Sequence, residues 1–264
     1  MTERTTVLPG HLMRILSSCI GIPLFFVLVA SPAETVADII HNYEFSGNLS
    51  DSIGGVTLIP NGGTVTSSEY QFLANQGLAL QSPRALKSYT LAMRFRFSDV
   101  SDFRKEVDFK NLTSDDGLYV STARLELYGV SGAGPGGAFA ANVFSVLALT
   151  RNDSTKRVIG YVNGVKQWEF TDNDEVAVPV FTSGVSSFQF FKDDGETLNE
   201  ASAGAVDWIK VYDAPLSMAD IAGLSTSVPE PGVVMICGLV CGWLAVRGWR
   251  RRHCSNCAAT PTEA

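Results

Sequence analysis

The segment Tyr89-Thr90-Leu91-Ala92-Met93-Arg94-Phe95-Arg96-Phe97 alternates with a period of two, and this alternation constrains the fold more than any other feature of the chain. Successive Cβ atoms of a strand point to opposite sides, so Tyr89, Leu91, Met93, Phe95 and Phe97 share one face while Thr90, Arg94 and Arg96 share the other. A strand with one buried and one wetted face belongs in an antiparallel sheet. A second unit runs over residues 157–170, where Val158-Ile159-Gly160-Tyr161-Val162 and Val165-Lys166-Gln167-Trp168-Glu169-Phe170 flank Asn163-Gly164. Asn-Gly supplies the two positive φ angles of a type I′ turn, which predicts a β-hairpin with Trp168 and Phe170 facing inward. Further strands are expected over 39–46, 77–81, 103–110, 118–128, 139–149, 185–192 and 203–212. Turn clusters such as Asp51-Ser52-Ile53-Gly54-Gly55, Thr113-Ser114-Asp115-Asp116-Gly117 and Asp193-Asp194-Gly195 separate them. Many short strands at this spacing predict an all-β, two-sheet antiparallel sandwich. The one helical signal inside the domain is 217–224, with Ser217 as N-cap and Asp220 three residues on.

The two ends read differently. After Arg4, His11 and Arg14 comes an apolar stretch over 15–30 and then Ser31-Pro32-Ala33, the pattern of a signal peptide over 1–33; cleavage after Ala37 and an uncleaved anchor are the alternatives. At the other end Val228-Pro229-Glu230-Pro231 precedes an uncharged run over 232–246, which Arg247, Arg250, Arg251 and Arg252 follow. As a helix that run spans about 22 Å, so interfacial Trp249 and snorkelling arginines must help it across a ~30 Å hydrocarbon core. The arginines place the C-terminus inside and the rest outside. Residues 253–264 form a cytoplasmic tail, and its Cys254-x-x-Cys257 has no second pair to complete a metal site.

Between these ends lies one domain, 38–227. It carries 14 Lys and Arg against 23 Asp and Glu, so anionic partners such as nucleic acid are disfavoured. The five cysteines stand at 19, 237, 241, 254 and 257, all outside it. An exported domain without disulfides is held by its core, or partly by metal.

The tail, with its Val228-Pro229-Glu230-Pro231 tetrad, short apolar helix and basic cluster, resembles the PEP-CTERM sorting signal of bacterial exported proteins over 228–252. The resemblance implies an exosortase-type transpeptidase as partner and a membrane-anchored precursor bound for the cell surface or extracellular matrix. This chain departs from the pattern by continuing past the arginines to Ala264, and a plain membrane anchor is the alternative. Within the domain, the opening Tyr43-Glu44-Phe45-Ser46-Gly47-Asn48-Leu49-Ser50-Asp51-Ser52 looks like the first strand and turn of laminin-G-like, concanavalin A-like jelly rolls. Gly160-Tyr161-Val162-Asn163-Gly164-Val165 is similar to their penultimate hairpin. Val206-Asp207-Trp208-Ile209-Lys210-Val211-Tyr212-Asp213-Ala214-Pro215-Leu216-Ser217 resembles their last strand and closing helix. No family marker lies between Val100 and Leu149.

This second resemblance implies binding of an extracellular polysaccharide or other glycan, sometimes assisted by calcium, which takes six to eight oxygen ligands. Asp51 and Asp207 match calcium-contributing positions, while Asp115-Asp116 and Asp193-Asp194-Gly195-Glu196 are acidic turns. Sugar rings stack on exposed aromatics, and Trp168, Tyr161, Trp208, Phe191 and Tyr70 are the candidates. Phe191 breaks the alternation of Phe188 and Phe190, which makes it the expected surface residue. Jelly rolls resembling family-16 glycosidases carry Glu-x-Asp-x-x-Glu on one strand. Here Glu106 and Asp108 fit, but Asn111 stands where the proton donor should be. The domain's one histidine, His41, has no nucleophile elbow around it. The expected function is therefore non-catalytic glycan binding, with a purely structural surface or biofilm role and an atypical glycosidase as alternatives.

Overall fold

The computed structural model describes residues 37–226 apart from 54, 131 and 198. The expected signal peptide, sorting signal, helix 232–246 and tail 253–264 lie outside the described residues. Among the described residues no helix is long and apolar enough to cross a membrane.

In chain order the elements are β1 (Ile39–Tyr43), β2 (Ile59–Asn61), β3 (Thr64–Val65), β4 (Tyr70–Phe72), β5 (Gly77–Ser82), β6 (Tyr89–Phe97), β7 (Phe103–Asp108) and β8 (Leu118–Ser121). There follow β9 (Arg124–Leu127), β10 (Gly132–Ala133), β11 (Ser145–Arg151), β12 (Arg157–Val162), β13 (Val165–Thr171), β14 (Phe181–Thr182), β15 (Val185–Phe190), β16 (Gly204–Tyr212) and α1 (Met218–Thr226). They form two eight-stranded antiparallel sheets. The first runs β13-β12-β11-β6-β16-β4-β3, with β1 also on β16; the second runs β10-β9-β8-β7-β15-β5-β2, with β14 also on β15. This is the two-sheet antiparallel sandwich expected from the alternation.

Period-two patterning fixes which side chains meet between the sheets. Tyr89, Leu91, Met93, Phe95 and Phe97 of β6 face Leu78 and Leu80 of β5, Val107 of β7, Leu118 and Val120 of β8, and Phe188 and Phe190 of β15 in one cluster, all at most 2% exposed. Each buried side chain of this size contributes about 1.5–3 kcal/mol, so β6 is a principal source of stability. Trp168 closes one margin, as the hairpin predicts. It is 8% exposed, lies across Gly160, and donates its indole N–H to Leu125 O at 3.0 Å, joining the edge of one sheet to the other. A Cβ at Gly160 would sit 2.6 Å from that indole, so only glycine fits.

The outer face of the first sheet is also covered in part. Ile221 of α1 packs on Ala92, Ala148 and Tyr161, with Leu216 and Leu224 beside it, which is why Thr90 and Ala92 are buried although they face away from the core. Ser217 caps α1 as expected, its Oγ accepting the Asp220 N–H at 3.2 Å and meeting the Asp220 carboxylate at 2.7 Å. The start of β1 and the end of β16 lie side by side. Asp38 N–H donates to Asp213 Oδ1 at 2.9 Å, and Asp213 N–H donates to Asp38 O at 3.0 Å.

Several boundaries differ from expectation. The stretch 118–128 is two strands, because Thr122 and Ala123 take φ of 50° and 59° and turn the chain without the usual Asn-Gly. The expected strand over 139–149 starts only at Ser145, with Asn142 at φ 61° just before it.

Candidate functional site

On the outer face of the first sheet, beyond the cover of α1, β6 presents Arg94 and Arg96 to a half-buried ring, Phe144, which precedes β11. The guanidinium carbons lie 4.3 Å and 4.7 Å from the Phe144 centroid, within the range of cation–π attraction. Each guanidinium is also held by a carboxylate. Arg96 Nη2 donates to Glu69 at 3.0 Å and 3.3 Å, and Gln71 Nε2 donates to the same carboxylate at 2.6 Å. Arg94 Nη1 donates to Asp207. A β-bulge between Val206 and Trp208 puts Asp207 there, as the extra residue opposite β6.

The result is a preorganised polar array around an aromatic ring. Its two positive and two negative charges cancel, and its four charged side chains are between 15% and 33% exposed. Beside it opens a groove of 660 Å³ lined by Gln71, Leu73, Gln76, Arg96, Ser98 and Asn142. Gly204 borders the groove, and a Cβ there would collide with Arg96 O at 2.2 Å. Leu73 and Val143 are 66% and 56% exposed. Fixed donors, fixed acceptors and a ring in one surface suit a flat, hydroxyl-rich, uncharged ligand.

The expected site residues fall elsewhere or do other work. Asp207 belongs to the array just described, paired with Arg94. Asp51 is buried in a different setting. Its Oδ2 meets His41 Nδ1 at 2.8 Å, and its Oδ1 accepts the N–H of Asn42 at 2.9 Å and of Ile53 at 3.2 Å. Both oxygens of Asp51 are thus in hydrogen bonds and one of the two of Asp207 is, and among the described residues no group of three or more His, Cys, Asp or Glu is placed to hold a metal ion. Phe191 is not on the surface. It is fully buried and stacks on Phe72 with centroids 4.4 Å apart. Its φ of 63° reverses the alternation at the end of β15, so Phe190 and Phe191 both turn into the core. Trp168, Tyr161 and Tyr70 are also buried, whereas Trp208 is half-buried on the outer face with Lys210 Nζ 5.2 Å from its ring.

Two constellations with the look of catalysis are buried. Ser82 Oγ lies 2.9 Å from His41 Nε2, which gives the hydrogen-bond order Ser82-His41-Asp51. Ser82 is nevertheless fully buried inside β5, opposite Ser186, and the chain of bonds ties β1 to β5 across the sandwich. Glu106 is fully buried and neither of its oxygens has a hydrogen-bond partner among the described residues; burial pushes its carboxyl well above the usual range. Asp108 Oδ1 accepts the N–H of Lys110 and Leu112 at 3.0 Å and 2.8 Å, and Asn111 Oδ1 accepts from Gln189 at 3.0 Å.

No protein-family model matches the chain, and no curated protein does. Solved structures do. Domain 4 of AbnA, a GH43 extracellular arabinanase from Geobacillus stearothermophilus, in complex with arabinotriose, superposes with a TM-score of 0.53 at 16% identity, over 72% of this chain and 98% of that one. Trypanosoma rangeli sialidase gives 0.57 at 17% identity over 74% of this chain, which spans only 34% of the sialidase. The botulinum neurotoxin serotype D binding domain gives 0.52 at 12% identity, over 71% of this chain and 51% of that one. At these identities the likeness is one of fold.

Proposed function

We propose that the domain is a non-catalytic glycan-binding module that takes neutral sugar units on the Phe144 face. The observation that carries this reading is the Phe144 ring bearing two guanidiniums, each locked by a carboxylate, at the edge of an open groove. Such an array binds hydroxyl pairs without losing side-chain freedom, because the rotamers are already fixed. The sandwich neighbours support it, since one was solved with arabinotriose and another is a sialidase. We further propose that the chain is exported, held in the membrane through 232–246, and processed at Val228-Pro229-Glu230-Pro231 by an exosortase-type enzyme, so that the domain works at the cell surface or in the extracellular matrix.

A glycan array tests the binding function. Wild-type protein is expected to bind one or more neutral polysaccharides, and Phe144→Ala to weaken that binding about tenfold or more, ~1.4 kcal/mol, with the melting temperature little changed. A blank array would leave a structural surface protein as the better account. Binding undiminished in Phe144→Ala would move the site elsewhere.

A further inference from the structure

The domain contains no cysteine, yet the outer face of its second sheet holds a buried amine against a buried carboxylate. Lys105 on β7 stands opposite Tyr119 on β8, and both side chains are fully buried. Lys105 Nζ lies against Asp194 Oδ2, 3.5 Å from Asp108 Oδ2, and 5.2 Å from the centre of the Tyr119 ring. The side chains of Asp108 and Asp194 are fully buried too. Asp194 belongs to the segment after β15, 89 positions along the chain from Lys105.

The second contacts of the two carboxylates differ in a useful way. Asp194 Oδ1 accepts the backbone N–H of Glu196 at 2.8 Å, a fixed donor positioned for negative charge building on that oxygen. Asp108 is anchored through Oδ1 by Lys110 and Leu112, while its Oδ2, turned to Lys105, makes no hydrogen bond among the described residues. The arrangement holds a nucleophile, an electrophile with a donor on its oxygen, and a proton acceptor 3.5 Å from the nucleophile.

We propose that Lys105 and Asp194 join in an intramolecular isopeptide bond, with Asp108 as the group that moves the protons. The nucleophile is the amine, so the step begins with a proton passed from Nζ to Asp108 Oδ2, 3.5 Å away. Burial raises the Asp108 carboxyl and so makes it a better acceptor. The freed Nζ pair attacks Asp194 Cγ, and the tetrahedral oxyanion forms on Oδ1, facing the Glu196 N–H. Asp108 passes the protons it takes from Nζ to Oδ2, the Cγ–Oδ2 bond breaks, and Oδ2 leaves as water. Of the three ammonium hydrogens one stays on the amide and two leave with Oδ2, so ammonium plus carboxylate become amide plus water and no other reactant is needed. Holding the groups in place supplies the large effective concentration that such a step requires. The bond would clamp the 192–200 segment onto β7. For an exported domain without thiols it is a cross-link that no reductant opens.

Peptide mapping of the purified full chain, denatured and digested with trypsin, decides the matter. Expected is peptide 105–110, uncut after the modified Lys105, linked to peptide 193–210 and lighter than their sum by one water, with neither 106–110 nor 193–210 found alone. Asp194→Asn should still link, now losing ammonia, whereas Asp194→Ala should not. Asp108→Asn should leave the two peptides linear while the protein still melts cooperatively. Linear peptides of full mass from wild-type protein overturn the proposal and leave an ordinary ion pair. Full linkage in Asp108→Asn overturns the assignment of the proton carrier.

Discussion

Replacing Asp172 by Asn leaves Arg151 charged and buried with its main counter-ion gone. Both side chains are fully buried, and Arg151 Nε donates to Asp172 Oδ2 at 2.9 Å. The other carboxylate within reach, Asp153, is 39% exposed at 3.4 Å and so compensates by only about 0–1 kcal/mol. Asp172 also accepts the N–H of Val176 at 2.7 Å and of Ala177 at 3.3 Å, so it anchors the segment after β13. An Asn amide keeps one acceptor for those groups. Removing one partner of a buried pair costs ~3–5 kcal/mol, and with Asp153 set against it we expect a loss of ~3–4 kcal/mol. That is a large share of the ~5–15 kcal/mol available to a domain, and at roughly 2–4 °C per kcal/mol it lowers the melting temperature by about 6–16 °C. Urea denaturation followed by Trp fluorescence measures it, since Trp168 sits in the core. The double variant Arg151→Met, Asp172→Asn should recover part of the loss, because no charge is then stranded. A loss below ~1 kcal/mol for Asp172→Asn would show that the guanidinium reaches water, and the reasoning would fail.

Three further outcomes are expected. Glu106→Leu should raise stability by ~1–3 kcal/mol in the same assay, because it removes a buried carboxyl that has no partner; a large loss would mean that Glu106 is satisfied by a group among the residues not described. Burial, with Asp115 second, lifts the Glu200 carboxyl from the usual 4.5 to about 7, and burial also lifts Glu106. The folded state then binds more protons than the unfolded one above about pH 4.5, so the melting temperature should fall on going from about pH 5 to about pH 8; Asp99 and Glu169, held near 2 by Arg104 and Arg157, act only below that window. A rise would contradict the placement of these groups. The calcium-assisted form of the reading expects a higher melting temperature with calcium than with chelator, and a smaller shift in Asp207→Ala; no shift would remove calcium from the proposal.

The sandwich was legible where the residues of one segment suffice. Tyr89 to Phe97 announces its strand by alternation, and Asn163-Gly164 announces its turn, with φ of 50° and 78°. Ser217 and Asp220 likewise mark the start of α1 locally. What was hidden depends on neighbours distant in sequence. Strands β3, β10 and β14 have two residues each and exist because a partner strand holds them. Thr122-Ala123 carries no turn chemistry, and a left-handed residue inside an aromatic run, Phe191, cannot be told from an outward one. The Phe144 array joins residues from four parts of the chain, Glu69 and Gln71, Arg94 and Arg96, Phe144, and Asp207. The pairing of Arg94 with Val146, two residues beyond Phe144, and the bulge that aims Asp207 could have revealed it only once the register was known.

The adjacency of Asp38 and Asp213 has a mechanical consequence. The chain enters along β1 and leaves β16 at the same end, and the two strands are antiparallel partners with Ile39 opposite Tyr212. A load drawn between the two flanks would open these hydrogen bonds one after another, like a zipper, rather than shearing them together. Such a domain resists tension poorly along that axis. If only its C-terminal side is fastened, no load passes through the β1–β16 seam, and the weakest line of the sandwich stays out of the path of force.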